Sequence, residues 1–463
     1  MERSIKLRDK KVGELLLEFS IPAIIGMLVN SMYIVIDRIF IGRVVGAMAI
    51  SGVSLTFPIG ILIMAFGMLV GIGAAANISI KLGQNKKGEA EHILGNALVL
   101  LIIVGIIVTI LGFVFVEPML VAFGASSNTL TYAKEFIIII IAGSIFQIIG
   151  FGLNNIIRSE GNPKKAMTTM LIGAITNIIL DYIFIYLFHF GIRGAASATV
   201  ISQGINMIWV LYYFLKGNSL LKIKKENLIL KVETIKNIFS IGMSPFAMQL
   251  AASLVNVILN KSLAIYGGDL AIGAMGIING ITTMIFMPIF GLNQGAQPII
   301  GFNYGAKLYT RVKSALKLAI IAATSISTIG ALGARIFPYA LVGLFNKTDV
   351  NLTNITVNGI RIFMILFPIV GFQIVSSNFF QAIAKAKISM FLALLRQVIV
   401  LIPMLLILPK IFGLNGVWMA GPVSDGVSSI LTAVFLAFEI KKLKLQKKTV
   451  ISSDSEFPPE CAK

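Results

Sequence analysis

Residues 293–305 read "NQGAQPIIGFNYG" and residues 71–83 read "GIGAAANISIKLG". Gly295-Ala296 lies 222 residues beyond Gly73-Ala74, and Gly305 lies the same distance beyond Gly83. That offset also carries Phe190-Gly191 onto Phe412-Gly413 and Gly194 onto Gly416. Near "GAM", at 46–48 and 273–275, it becomes 227, so a few residues are inserted there. A chain with 43 glycines repeats some of them by chance. A constant offset at separate places instead marks an internal duplication. The expectation is two parallel copies of one unit.

Composition says where those copies reside. The 463 residues are 57% hydrophobic and 13% charged, with mean hydropathy +0.92. Soluble domains carry about 25% charged residues. Twelve apolar segments run along the chain, centred near 30, 60, 104, 142, 176, 205, 252, 287, 326, 369, 398 and 428. About 20 apolar residues suffice to cross a bilayer as a helix. The first segment begins near Phe19 with no small-residue cleavage site behind it, and reads as a retained helix rather than a signal peptide. The predicted fold is an all-α polytopic membrane protein of twelve transmembrane helices in two six-helix pseudo-symmetric lobes. Its predicted parts are an N-lobe over 1–216, a cytoplasmic linker over 217–237, a C-lobe over 238–445 and a cytoplasmic tail over 446–463. Two such lobes imply a transporter with a cavity between them, a common arrangement for alternating access.

The net charge of +19 follows the topology. With both termini on one side, 29 of the 39 Lys and Arg fall there, in stretches such as "RSIKLRDKK", "KIKKENLILKVETIK" and "KKLKLQKK". Five fall opposite: Arg43, Arg193, Arg335, Lys347 and Lys410. That asymmetry is the positive-inside signature and predicts cytoplasmic termini. It argues against a nucleic-acid partner and leaves a weak attraction to anionic lipid. The one cysteine, Cys461, allows no disulfide within the chain.

Polar groups within the spans carry the chemistry. A charge at the membrane centre costs at least about 2.5–3.5 kcal/mol, so it is neutralised, paired or wetted. Asp37 stands inside "SMYIVIDRIFIG" (31–42) and Asp181 inside "LIGAITNIILDYIFIYLF" (171–188). Asn177 precedes Asp181 by one helical turn and shares its face. The second copy answers with Pro403 for Asp181, Ile399 for Asn177 and Gly421 for Thr199. The repeat keeps its scaffold and loses the acids, so the functional carboxylates belong to the first half. Two carboxyl groups in one site exchange protons as a coupled unit, and with Asn and Thr oxygens they also suit Na+. Arg38 points about 100° away from Asp37 around the helix and pairs poorly with it.

Several stretches resemble the MATE (multidrug and toxic compound extrusion) family, and within it MepA-like members of the DinF branch. They are "GAMGIINGITTMIFMPIFGLNQGAQPIIGFNYGAK" (273–307), "IPAIIGMLVNSMYIVIDRIFIG" (21–42), "RSEGNP" (158–163) and "GAASAT" (194–199). The resemblance covers residues 12–445. It implies a cation site on Asp37, Asn177, Asp181 and Thr199, with H+ or Na+ as coupling ion and no other cofactor. Pro22 is implied as a hinge of the first helix. Tyr33, Gln147, Phe151, Asn154, Asn256, Met287 and Gln294 are candidates for a drug-binding cavity. Arg396 and Asp425, on the last two spans, read as an interhelical pair. The implied function is a monomeric antiporter of the bacterial inner membrane, exporting amphipathic or cationic organic compounds. The alternative is a lipid-linked oligosaccharide flippase of the same superfamily, for which a more basic cavity is expected. An enzyme is disfavoured, because the only histidines, His92 and His189, lie outside the span centres.

Overall fold

A computed structural model describes residues 2–45, 47–123, 127–345 and 349–455. The side chains of Arg38 and Arg43, together with Lys347 and Cys461, lie outside the described residues. The described residues form helices joined by turns and one longer linker, with no strand among them. Backbone groups in hydrocarbon must bond internally, and helices satisfy that requirement span by span.

The described residues form twelve spans. Span 1 is Val12–Val44, span 2 Ala47–Gly83 and span 3 Lys87–Ala122. Span 4 is two helices, Ser127–Ala142 and Ser144–Ser159, meeting at Gly143 with a bend of 54°. Span 5 is Pro163–Asp181 continued by a π-helical turn, Tyr182–Leu187, and span 6 is Gly191–Leu215. One assigned helix, Val232–Gly305, holds spans 7 and 8, because the chain turns at Gly268 with φ 64° and ψ −164°. Span 9 is Tyr309–Ile336. Span 10 is Val350–Phe363 and Phe367–Ala382, bent by 55°. Span 11 is Ala386–Leu394, a π-helical turn Leu395–Val400, and Leu401–Phe412; span 12 is Leu414–Ser455.

The duplication is written into the backbone. The bends of spans 4 and 10 differ by 1° and fall one offset apart. Asn85 and Lys307 both have positive φ, at 59° and 58°, and so do Gly191 and Gly413, at 58° and 56°. Each pair is separated by 222 residues. Pro22 in span 1 and Pro245 in span 7 are likewise near-equivalent, and both are buried inside their helices.

The halves meet through close backbone contacts near the ends of spans 2 and 8 that adjoin the basic loops. A β-carbon on Gly83 would lie 2.0 Å from the Phe302 carbonyl oxygen, and one on Gly305 would lie 2.1 Å from that of Ile80. Phe302 is the repeat equivalent of Ile80, so the contact maps onto itself when the halves are exchanged. Gly73 against Ile238 and Gly295 against Ser20 form a second related pair. Only glycine admits such approaches, and small residues let membrane helices pack backbone to backbone. Farther along, the halves touch through Phe66 and Phe246, with ring centroids 5.0 Å apart, and through Ser31 Oγ and Met287 Sδ at 3.3 Å. Beyond that level the last six spans keep a separate apolar core around Leu263, Ile278, Phe367 and Trp418.

The linker between the halves is pinned at two buried points. Glu160, fully buried after span 4, accepts hydrogen bonds from the Tyr213 hydroxyl, from Ser219 Oγ at 2.6 Å, and from the Leu220 and Leu221 amides at 3.0 and 3.2 Å. Asn96 on span 3 donates to the carbonyls of Asn227 and Ile229 and accepts from the Lys231 amide. Outside the membrane, the hydrogen bond that Lys224 donates to Glu91, at 2.8 Å, holds its ammonium above the ordinary value.

Candidate functional site

Spans 1, 5 and 6 bring the first-half polar groups together. Asp37 lies one turn beyond Tyr33 on span 1. Asp181 is the last α-helical residue of span 5, immediately before the π-helical turn, and Asn177 lies one turn earlier. Thr199 enters from span 6. The Asn177 Nδ2 donates to Thr199 Oγ1 at 3.4 Å, a long and weak bond that ties the two spans. Asp37 and Asp181 sit within electrostatic range of each other, and the Tyr33 hydroxyl within range of both.

The cluster is buried. Asp181 is 0% exposed, Asn177 1% and Asp37 9%. Both carboxyl oxygens of Asp181 and the Oδ1 of Asn177 are buried with no hydrogen-bond partner among the described residues. Nor does Asp181 form an ion pair there. A carboxylate held away from water without a partner costs several kcal/mol or more. The oxygen donors on the three spans fit a proton or a cation. Hard cations take carboxylate, amide and hydroxyl oxygens, and no group of three or more His, Cys, Asp or Glu competes among the described residues.

The remaining candidates are dispersed. Met287 meets Ser31 between the halves. Gln294 is partly buried on span 8, with an Oε1 that has no partner among the described residues. Gln147 and Phe151 are partly buried on span 4. Asn154 is buried and donates to the Ala166 carbonyl at 2.9 Å, joining spans 4 and 5. Asn256 faces a cavity in the last six spans and donates to its own helix at Ala252. Pro22 lies within an uninterrupted helical assignment. His189 is exposed in the turn between spans 5 and 6.

Two cavities lie away from the cation cluster. The larger, about 520 Å³, sits at the basic end between span 3 and the linker. Within it Lys81 pairs with Glu89 at 2.5 Å. The smaller, about 190 Å³, lies inside the last six spans. Sequence reading singles out three of its residues, Asn256, Arg396 and Asp425, but not Asn279, Phe363 or Trp418. Those three come from separate spans, and nothing in their spacing connects them.

Comparison with known proteins agrees with this architecture. A model of the family described as MatE matches twice, at residues 22–183 and 245–407. The two starts are 223 residues apart, so the family unit and the internal repeat coincide. "Multidrug export protein MepA" of Staphylococcus haemolyticus (strain JCSC1435) is 27% identical, covering 97% of this chain and 99% of the relative. The protein of that name from Staphylococcus aureus (strain MSSA476) is 28% identical, over 93% and 94%. Among solved structures, the MATE multidrug transporter DinF-BH is 40% identical, covers 92% of this chain and 95% of that one, and superposes with a TM-score of 0.86. A multidrug resistance MATE family transporter of the MOP superfamily in an outward-facing conformation is 25% identical, over 95% and 98%, with a TM-score of 0.90.

Proposed function

This chain belongs to the MatE family, a family of multi-pass membrane transporters rather than enzymes, and from that premise we propose that it is a secondary active antiporter. It exports amphipathic, cationic organic compounds across a bacterial inner membrane, with both termini in the cytoplasm, in exchange for H+ or Na+. The observation that carries the reading is the buried Asp37, Asn177, Asp181 and Thr199 cluster, whose Asp181 oxygens take no partner among the described residues. Supporting it from outside are relatives named as multidrug exporters and a solved neighbour described as a multidrug transporter.

The mechanism follows from where the cluster and the contacts lie. Spans 1 and 5 carry the acids, and span 1 also packs against span 8. Uptake of a proton or Na+ removes the cost of a bare carboxylate and favours whichever arrangement of spans 1, 5 and 6 closes around it. A ligand shifts such an equilibrium only by its differential affinity for the two states. Cation and cargo then disfavour one another, and that antagonism is reciprocal. In the present arrangement the halves are closed at the basic end, where the glycine contacts lie.

Proteoliposomes with an imposed inward H+ or Na+ gradient test the proposal, with a cationic rhodamine dye as cargo. Wild-type protein is expected to move dye under at least one gradient, and Asp37→Asn and Asp181→Asn to fall to the level of protein-free liposomes. Full gradient-driven transport by both variants would refute the coupling role. Dye movement that no gradient drives would leave the flippase reading stronger.

A further inference from the structure

The cavity of about 190 Å³ in the last six spans is built from spans 7, 8, 10, 11 and 12. Its polar centre is Arg396, on the π-helical turn Leu395–Val400. Such turns insert an extra residue per winding, re-aim side chains and concentrate at functional sites. Arg396 is held from three directions. Its Nε donates to Asp425 Oδ1 at 2.7 Å, its carbonyl accepts from Ser424 Oγ at 2.6 Å, and its guanidinium lies 5.9 Å from the Phe286 ring centroid. Those contacts fix the fork in place while its Nη donors take no hydrogen-bond partner among the described residues.

Trp418 packs behind the same cavity. Trp418 is 1% exposed, and its Nε1–H is buried with no partner among the described residues. Buried N–H groups in native proteins are nearly always bonded, and one that is not calls for an explanation. Asn256, Asn279 and Phe363 complete the wall. The Asn256 Nδ2 is already committed to Ala252.

The open Nη donors of Arg396 and the aromatic wall point to one chemistry. An organic cation would meet the guanidinium face on. A carboxylate would instead receive two parallel N–H bonds from the Nη atoms, the geometry that arginine favours. A ring attached to it would lie against Phe363 and Trp418.

We propose that this cavity is a binding site for a small aromatic carboxylate, with the Arg396 Nη atoms as its donors and Phe363 and Trp418 beside its ring. The site is separate from the cation cluster of spans 1, 5 and 6, and it binds without any gradient, so it stands or falls independently of the coupling reading.

Trp418 reports its own occupancy. The chain has two tryptophans, and Trp209→Phe leaves Trp418 alone. The experiment titrates this full-length variant in lipid nanodiscs with benzoate, methyl benzoate and benzylamine, reading tryptophan emission. Benzoate is expected to give a saturable change, and methyl benzoate to bind about tenfold or more weakly, the worth of a charge-assisted hydrogen bond. Arg396→Gln combined with Asp425→Asn removes the fork without leaving a lone carboxylate, and it should lose the preference for benzoate over its ester. If that double variant does not fold, Arg396→Lys decides, because it keeps the charge and loses the fork. Loss of ester discrimination there supports the site, and unchanged discrimination overturns it. Equal affinity for benzoate and ester, preferential binding of benzylamine, or an emission that benzoate does not alter would each overturn the proposal.

Discussion

At the scale of the residue, the Asn177 amide joins two acids' neighbourhoods. It shares a helix face with Asp181 and donates to Thr199, while its own oxygen stays buried and unbonded among the described residues. Replacing it with alanine removes an oxygen donor but leaves both carboxyls. The ion concentration for half-maximal transport is expected to rise about tenfold in Asn177→Ala, with the maximal rate nearly kept, since a bond to a charged group is worth roughly 1.5–3 kcal/mol. An initial-rate titration of H+ or Na+ against dye efflux measures it. These residues were readable from the sequence because a carboxylate in an apolar run is costly and its one-turn neighbour is geometrically forced. Asn154 has the same amide among the same kinds of neighbours, yet it bonds to Ala166. Sequence offers no means of telling a cavity amide from a helix tie, because that depends on which carbonyl a neighbouring span presents.

At the scale of the element, the contact between spans 2 and 8 and the latch on the linker each have a measurable consequence. Valine at position 83 or 305 forces the backbones apart, and overpacking of that kind costs about 1–3 kcal/mol. Gly83→Val and Gly305→Val should lower the melting temperature by similar amounts in detergent, because each glycine meets the repeat image of the other's partner. Glu160→Ala strips an acceptor from one hydroxyl of span 6, one of the linker and two linker amides. Limited proteolysis is expected to cut residues 217–231 faster in that variant, with the spans still folded. Segment count and order were legible from apolar length. The π-helical turns after Asp181 and Leu394 were not, because an extra residue in a winding leaves no mark in hydropathy. The cavity beside Arg396 depends on the second of those turns, so it stayed hidden although Arg396 and Asp425 stood out as charges.

At the scale of the whole molecule, the proposed mechanism has the halves change their mutual tilt while remaining in contact. Ser31 and Met287 face one another across that division. Ser31→Cys with Met287→Cys, in a chain whose Cys461 is replaced by serine, should be joined by a short thiol-specific cross-linker. Dye efflux is expected to stop on cross-linking and to return on reduction; efflux unaffected by complete cross-linking would show that the halves need not separate there. The glycine pairs give this motion a mechanical character. Gly83 on Phe302 and Gly305 on Ile80 are one bearing surface seen from its two sides, shared equally by both arms. The two acids of the cation cluster, Asp37 and Asp181, by contrast, sit in the first arm. On the proposed reading the protein is a lever with a symmetric fulcrum and an asymmetric trigger. Drift in the second arm can then replace the cluster's side chains, as Pro403 stands for Asp181, provided that the fulcrum keeps its shape.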